Sequence, residues 1–222
     1  YFRHLPLALN KDWQFVRRGR RPPTDPVNAV LSLLYTLLTS RCYTAVRLAG
    51  LDPYPASLHS MAYGRQALPL DLVEEFRPIV ADTLTISLFN HRVLQADDFF
   101  SLPSESTQDG AAEEDAAVDV AVRDPLGQMF PDAEVTETEY PVGEQEPPPV
   151  DEISSPRALP VLLTKGGYKT VIEAFAKKLE TEFIHPLAER RLSYAKALVF
   201  QARLYRRLVE GEVEEYSPVL LR

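Results

Sequence analysis

The chain has 222 residues, 45% apolar and 25% charged, which is ordinary globular composition and enough for one large domain or two small ones. A single cysteine, Cys42, excludes a disulfide framework and a cysteine-based zinc site and fits a reducing cytosol; no uninterrupted apolar run reaches the ~18 residues of a membrane span, and nothing at the start reads as a signal peptide. The net charge of −8 is uneven, because residues 101–155 hold 15 Asp and Glu against one Arg, and the remainder is +6.

Tyr1-Phe2-Arg3 opens the chain without a Met and reads as the tail of an element, so a fragment is expected. Residues 1–20 are mixed and run into a basic cluster, Arg17, Arg18, Arg20 and Arg21. Asp25-Pro26 is a helix start, because Asp25 can accept from exposed N–H groups and Pro26 loses nothing at the first helical position. Val27, Val30, Leu31, Leu34 and Leu38 follow at helical spacing until Gly50, which predicts a central helix. Residues 50–68 read as an irregular crossing loop. From Pro69 a second pattern places Leu72, Phe76, Ile79, Val80 and Leu84 on one face, with Pro78 expected to kink or divide it.

Residues 101–158 are rich in Pro, Glu, Asp, Ser and Gly without apolar periodicity, and are expected to be a disordered acidic insertion. Leu159–Thr164 suits a short strand. Tyr168, Val171, Ile172, Phe175, Leu179 and Phe183 then fit one helix. Ser193 caps a last helix with Tyr194, Leu198, Tyr205 and Leu208 inward and Gly211 at its end. The expected fold is an all-α, bundle-like domain split into residues 1–100 and 159–222 around the insertion.

Asp71 and Glu74 share a helical face, Glu75 flanks them, and His59 stands in the preceding loop. One imidazole with two or three carboxylates suits Mg²⁺ or Mn²⁺ better than zinc, and such a site can polarise a phosphodiester. Taken by spacing alone, such a run is most often a solvated helix start and such a histidine usually structural. Arg17, Arg18, Arg20 and Arg21 read either as a solvated turn or as phosphate contacts. Arg65 is the strongest single candidate for holding phosphate, and Arg77 either does the same or pairs with Glu74.

The wording of several segments is more specific. Arg20-Arg21-Pro22-Pro23-Thr24-Asp25-Pro26-Val27-Asn28-Ala29-Val30-Leu31-Ser32, Ala49-Gly50-Leu51-Asp52-Pro53-Tyr54, Leu58-His59, Tyr63-Gly64-Arg65 and Leu70-Asp71-Leu72-Val73-Glu74-Glu75-Phe76-Arg77-Pro78 occur in that order, with Gln201-Ala202-Arg203 and Tyr216-Ser217-Pro218 closing the chain. They resemble the C-terminal domain of the CRISPR adaptation integrase, the Cas-one family. The resemblance covers roughly residues 1–100 and 159–222. It implies a helical domain with a divalent-metal site in which His59 and Glu74 are ligands and catalytic residues, Asp71 is a nearby acidic member, and Glu75 is of lesser weight. The family's first ligand, a Glu, would fall just upstream of Tyr1. The resemblance further implies DNA as substrate, Mg²⁺ or Mn²⁺ as cofactor, a homodimer docked on a Cas-two-type partner in a prokaryotic cytoplasm, no membrane association, and integration by transesterification during spacer acquisition. The alternatives are a transposon-encoded integrase of the same family and a non-catalytic DNA-binding scaffold.

Overall fold

The longest element is the one that Asp25 begins. In the computed structural model, which describes residues 2, 4–13, 15, 17–19, 23–59, 65–101 and 159–220, Asp25 has extended backbone and its carboxylate accepts from the Asn28 N–H at 2.8 Å. Helix α2 (Pro26–Leu48) follows a single short turn, α1 (Leu5–Ala8). Past its end Gly50 takes a φ of +75°, a conformation open to glycine and strained for most residues. Contrary to the expectation that no stretch qualifies, α2 is long and apolar enough by length and composition to cross a membrane. Val27, Val30, Leu31, Leu34 and Leu38 are nevertheless fully buried in the core.

Helix α3 (Ala67–Phe76) begins two residues before Pro69, whose missing N–H falls in the first turn, where no intrahelical acceptor is available. Pro78 neither breaks nor ends the helix. The backbone widens into a π-helical turn (Arg77–Asp82) and resumes as α4 (Thr83–Asn90). A wide turn accommodates a residue that cannot donate and whose ring crowds the preceding turn.

The expectation of an all-α domain needs a correction in detail. A 3₁₀ turn (Ala96–Asp98) leads into β1 (Phe99–Ser101), which pairs antiparallel with β2 (Val161–Leu163) in the register Phe100 to Leu162. The strand read over Leu159–Thr164 is thus present. Helix α5 (Lys165–Glu180) is capped by the Thr164 hydroxyl, and Gly167 sits so close to the Asp98 carbonyl that a Cβ there would lie 2.8 Å from it. A hairpin, β3 (Glu182–His185) and β4 (Arg190–Ser193), separates α5 from α6 (Tyr194–Val209). Phe183 therefore belongs to a strand and not to the helical stripe that includes Phe175 and Leu179. The chain turns extended at Thr181, and the Phe183 ring stacks on Tyr194 at 4.7 Å. Ser193 caps α6 as the sequence indicates, accepting from the Lys196 N–H.

One core joins both halves of the chain: Phe76, Val80 and Phe89 from the first half meet Val171, Phe175, Ala197 and Leu198 from the second. The acidic insertion assigned to 101–158 lies, Ser101 apart, outside the described residues.

Candidate active site

His59 ends the described part of the loop after α2, and Asp71 lies in the middle of α3. The Asp71 carboxylate accepts from three successive backbone N–H groups: Ser57 at 2.7 Å, Leu58 at 2.9 Å and His59 at 3.0 Å. The same carboxylate lies 2.6 Å from His59 Nδ1. An Asp71 oxygen at that distance pairs with the tautomer that carries its proton on Nδ1, which leaves Nε2 as the ring nitrogen for a ligand. Both residues are only 8% exposed, so the imidazole is held in one orientation.

This geometry gives Asp71 a different job from the one the sequence pattern suggested. With four hydrogen bonds converging on its two oxygens, it orients the loop and the imidazole, and has no free oxygen to offer a metal as a direct ligand.

Glu74 lies one turn further along α3 and is about one-third exposed. Arg77 donates to its Oε1 at 2.7 Å, the pairing foreseen as one of two uses of that arginine. The Arg77 guanidinium also lies over the Tyr35 ring, 4.3 Å from its centroid, and the Tyr35 hydroxyl donates to buried Asp82 at 2.6 Å. Burial and then the adjacent Asp82 carboxylate push the Tyr35 phenol well above its ordinary range, so it remains a donor. Arg77 is thus fastened on the π-helical turn between a carboxylate and a ring, which leaves it poorly placed for a free phosphate contact.

Glu75, the neighbour that spacing could not distinguish from Glu74, faces another environment. Its Oε2 accepts from Gln201 Nε2 at 2.9 Å and from the Val219 N–H at 3.1 Å, and its Oε1 accepts from the Tyr216 hydroxyl. Both oxygens are committed to α6 and the C-terminal segment. No sequence signal marks this arrangement, because the partners lie more than 120 residues away.

The basic residues also part company. Arg18 donates to Asn28 Oδ1 at 2.8 Å and to the Ser32 hydroxyl at 3.0 Å, so it braces the start of α2. Arg17 is exposed, with its carbonyl accepting from Asn28. Arg20 and Arg21 lie outside the described residues. Arg65 stands just before α3, and its Nε and Nη2 are buried without a hydrogen-bond partner among the described residues. An unmatched buried guanidinium is costly, and an anion would relieve that cost.

Among the described residues no group of three His, Cys, Asp or Glu side chains converges on one point. His59 Nε2 and the Glu74 carboxylate suit a hard divalent ion in donor type, but two donors leave its coordination unfinished. A separate groove of about 640 Å³ lies between α2, α5 and α6, with apolar Leu179, Leu198 and Val199 in its wall and Arg41, Lys196 and Arg203 at its sides. None of the candidate site residues lines it.

Solved proteins share this helical architecture. A casposase bound to integration product has a TM-score of 0.67 at 18% identity, covering 98% of this chain and 46% of that one. A partial Cas6-RT-Cas1–Cas2 complex has a TM-score of 0.66 at 18% identity, covering 100% of this chain and 50% of that one. In sequence, the family described as CRISPR associated protein Cas1 matches residues 1–109. The CRISPR-associated endonuclease Cas1 3 of Thermus thermophilus is 32% identical over 222 residues, all of this chain and 50% of that one. The chain is thus similar to Cas1 proteins along its whole length. It spans about half the length of that relative.

Proposed function

We propose that the protein is a DNA endonuclease and integrase of CRISPR spacer acquisition, and that His59 and Glu74 form the reacting face of this chain. The observation that carries the reading is the His59–Asp71 pair, with Glu74 one helical turn after Asp71, in a chain similar to Cas1 endonucleases. A carboxylate-oriented imidazole with one ring nitrogen free is a common arrangement for a metal-binding histidine. His59 Nε2 and Glu74 would hold Mg²⁺ or Mn²⁺, which when bound supplies charge stabilisation at a phosphate. Further donors come from outside the described residues.

The chain's own residues have distinct tasks. Asp71 keeps the His59 proton on Nδ1, so Nε2 stays a lone-pair donor. Arg77 holds Glu74 at the edge of the face. Arg65 takes a phosphate oxygen through the two nitrogens that lack partners, and exposed Arg17 adds to the electrostatic attraction of the backbone. In the reaction itself, the 3′-hydroxyl oxygen of a captured fragment forms a new bond to phosphorus as the existing P–O bond at the repeat breaks. One ester replaces another, with no oxidant or high-energy phosphate consumed.

The partners in this reading are duplex DNA, a second copy of the protein and a Cas2-type subunit. The CRISPR-associated relative at 32% identity carries this set, whereas the Cas1–Cas2 complex of the same architecture, at 18% identity, speaks for the fold alone. A second reading, a transposon-encoded integrase, is favoured by the casposase likeness. At 18% identity that likeness speaks for the fold alone, whereas the 32% relative is CRISPR-associated.

The test is strand transfer by the intact protein with Mn²⁺ into DNA carrying a CRISPR repeat or casposon-type ends. His59→Ala and Glu74→Gln should each remove transfer while the protein stays folded. Full activity in either variant would refute the site, and transfer confined to the transposon ends would favour the second reading.

A further inference from the structure

We propose that the C-terminal segment around Tyr216–Val219 is a positioning strap for the His59–Glu74 face, acting through Glu75 on one side and Tyr205 on the other. The inference rests on the site reading above and adds residues to it.

The first arm is the carboxylate of Glu75. It receives the Tyr216 hydroxyl, Gln201 Nε2 and the Val219 N–H, and Gln201 donates as well to the Ser217 carbonyl at 3.1 Å. Gln201 is fully buried and Val219 is 4% exposed, so the tail is packed and not merely adjacent. Burial, then the Glu75 charge beside it, drives the Tyr216 phenol far above its ordinary range, which keeps it a donor at every working pH. Successive side chains on an α-helix project about 100° apart. Pinning Glu75 toward the tail therefore fixes the rotation of α3 and with it the direction of Glu74.

The second arm reaches the histidine loop. Tyr205 on α6 shares a 2.8 Å hydrogen bond between its hydroxyl and Ser57 Oγ, and the Ser57 N–H is one of the three held by Asp71. The Tyr205 ring packs edge-on against Tyr216 at 5.8 Å. One aromatic pair thus braces the loop that presents His59 and the helix that presents Glu74. Asp71 sets the imidazole locally, and the strap sets the loop and α3 relative to each other. Glu75, Gln201, Tyr205 and Tyr216 are positioning residues: none contacts the reacting atoms.

The experiment uses Tyr216→Phe and Glu75→Gln in the intact protein, with Glu74→Gln as control. Mn²⁺ affinity is measured by electron paramagnetic resonance and stability by thermal melting. The strap predicts that folded Tyr216→Phe and Glu75→Gln bind Mn²⁺ about tenfold more weakly, as loss of an outer support typically does. It also predicts that transfer at saturating Mn²⁺ largely recovers. A tail that only stabilises the fold would lower the melting temperature and leave Mn²⁺ affinity unchanged; that result overturns the proposal. If Glu75→Gln fails to fold, Tyr216→Phe decides, since it removes one hydroxyl and keeps the ring on Tyr205. Unchanged Mn²⁺ affinity in Glu74→Gln would instead overturn the site assignment and the strap's role with it. Loss in Glu74→Gln without change in the strap variants overturns the strap alone.

Discussion

Asp71 and Glu75 sit four residues apart on one helix, and their carboxylates accept four and three hydrogen bonds. Asp71 organises a loop 12 to 14 residues before it, so its contacts are local in the chain. Glu75 organises a tail 141 to 144 residues after it, so its contacts exist only once the fold has closed. Between them Glu74 keeps one oxygen on Arg77 and remains partly exposed. Three acidic residues that look alike in sequence thus divide into a loop organiser, a partly exposed acid and a tail anchor. The difference is set by the hydrogen-bond donors each one meets.

The largest expected effect tests the exposed member of the trio. His59→Ala or Glu74→Gln should take strand transfer to the level of a protein-free control, with a melting temperature within a few degrees of the parent.

Asp71→Ala should come next, and it acts on both function and fold. It strands the buried His59 N–H and imidazole, while the N–H groups of exposed Ser57 and Leu58 can turn to water, a loss of about 2–3 kcal/mol at ~1–3 kcal/mol per unsatisfied buried group. Urea denaturation measures the loss, and Mn²⁺ titration should show weaker binding from a freely rotating His59. Stability unchanged in this variant would break the contrast between a loop organiser and a ligand.

The resemblance gives Glu75 a lesser weight in the chemistry, and its hydrogen bonds give it a part in the fold. In Glu75→Ala, removing the anchor strands Gln201 Nε2, the Tyr216 hydroxyl and the Val219 N–H, for a loss of about 2–3 kcal/mol. Limited proteolysis should cut the C-terminal segment sooner than in the parent, whereas in Asp71→Ala the earliest new cut should fall near His59.

Tyr35→Phe should cost less, about 1 kcal/mol, because it removes one hydroxyl hydrogen bond to Asp82 and preserves the ring under Arg77. Transfer activity should fall only slightly if Arg77 keeps its place.

The smallest effect is a pH dependence away from the site. His185 in the β3–β4 hairpin is fully buried, and its Nδ1 accepts from the Leu187 and Ala188 N–H groups. Burial holds the imidazole below its ordinary pKa. The unfolded chain therefore takes up a proton more readily below the ordinary value of about 6.5. The stability this residue contributes is complete above that pH and is lost as pH falls toward the lower folded value. His185→Gln should flatten this part of the pH–stability curve and leave strand transfer at neutral pH unchanged.

Much of the frame was legible in the sequence because its signals are local. Asp25-Pro26 starts α2, Gly50 ends it, and Ser193 caps α6 through contacts within four residues, where the covalent chain already brings the partners together. The apolar period of α2 identified a core helix, and the ordered motifs pointed to the likeness to Cas1 proteins that the 32% identical relative carries. Phe183 was misplaced because a helical period continues arithmetically past Thr181, where the backbone has already turned extended. The π-helical turn at Pro78 was foreseen as a disturbance and not in its form.

The residue types and spacing of His59, Asp71, Glu74 and Glu75 were set by the sequence, together with the helical class and the charge imbalance. Which carboxylate does what was decided only by tertiary structure. A hydrogen bond depends on where a donor lies in space. The donors for Asp71 come from a returning loop, those for Glu75 from α6 and the tail, and the cation for Glu74 from the turn that Pro78 widens. A linear pattern carries no information on these approaches until the apolar faces of α2, α3 and α6 have packed and brought the two ends of the chain together.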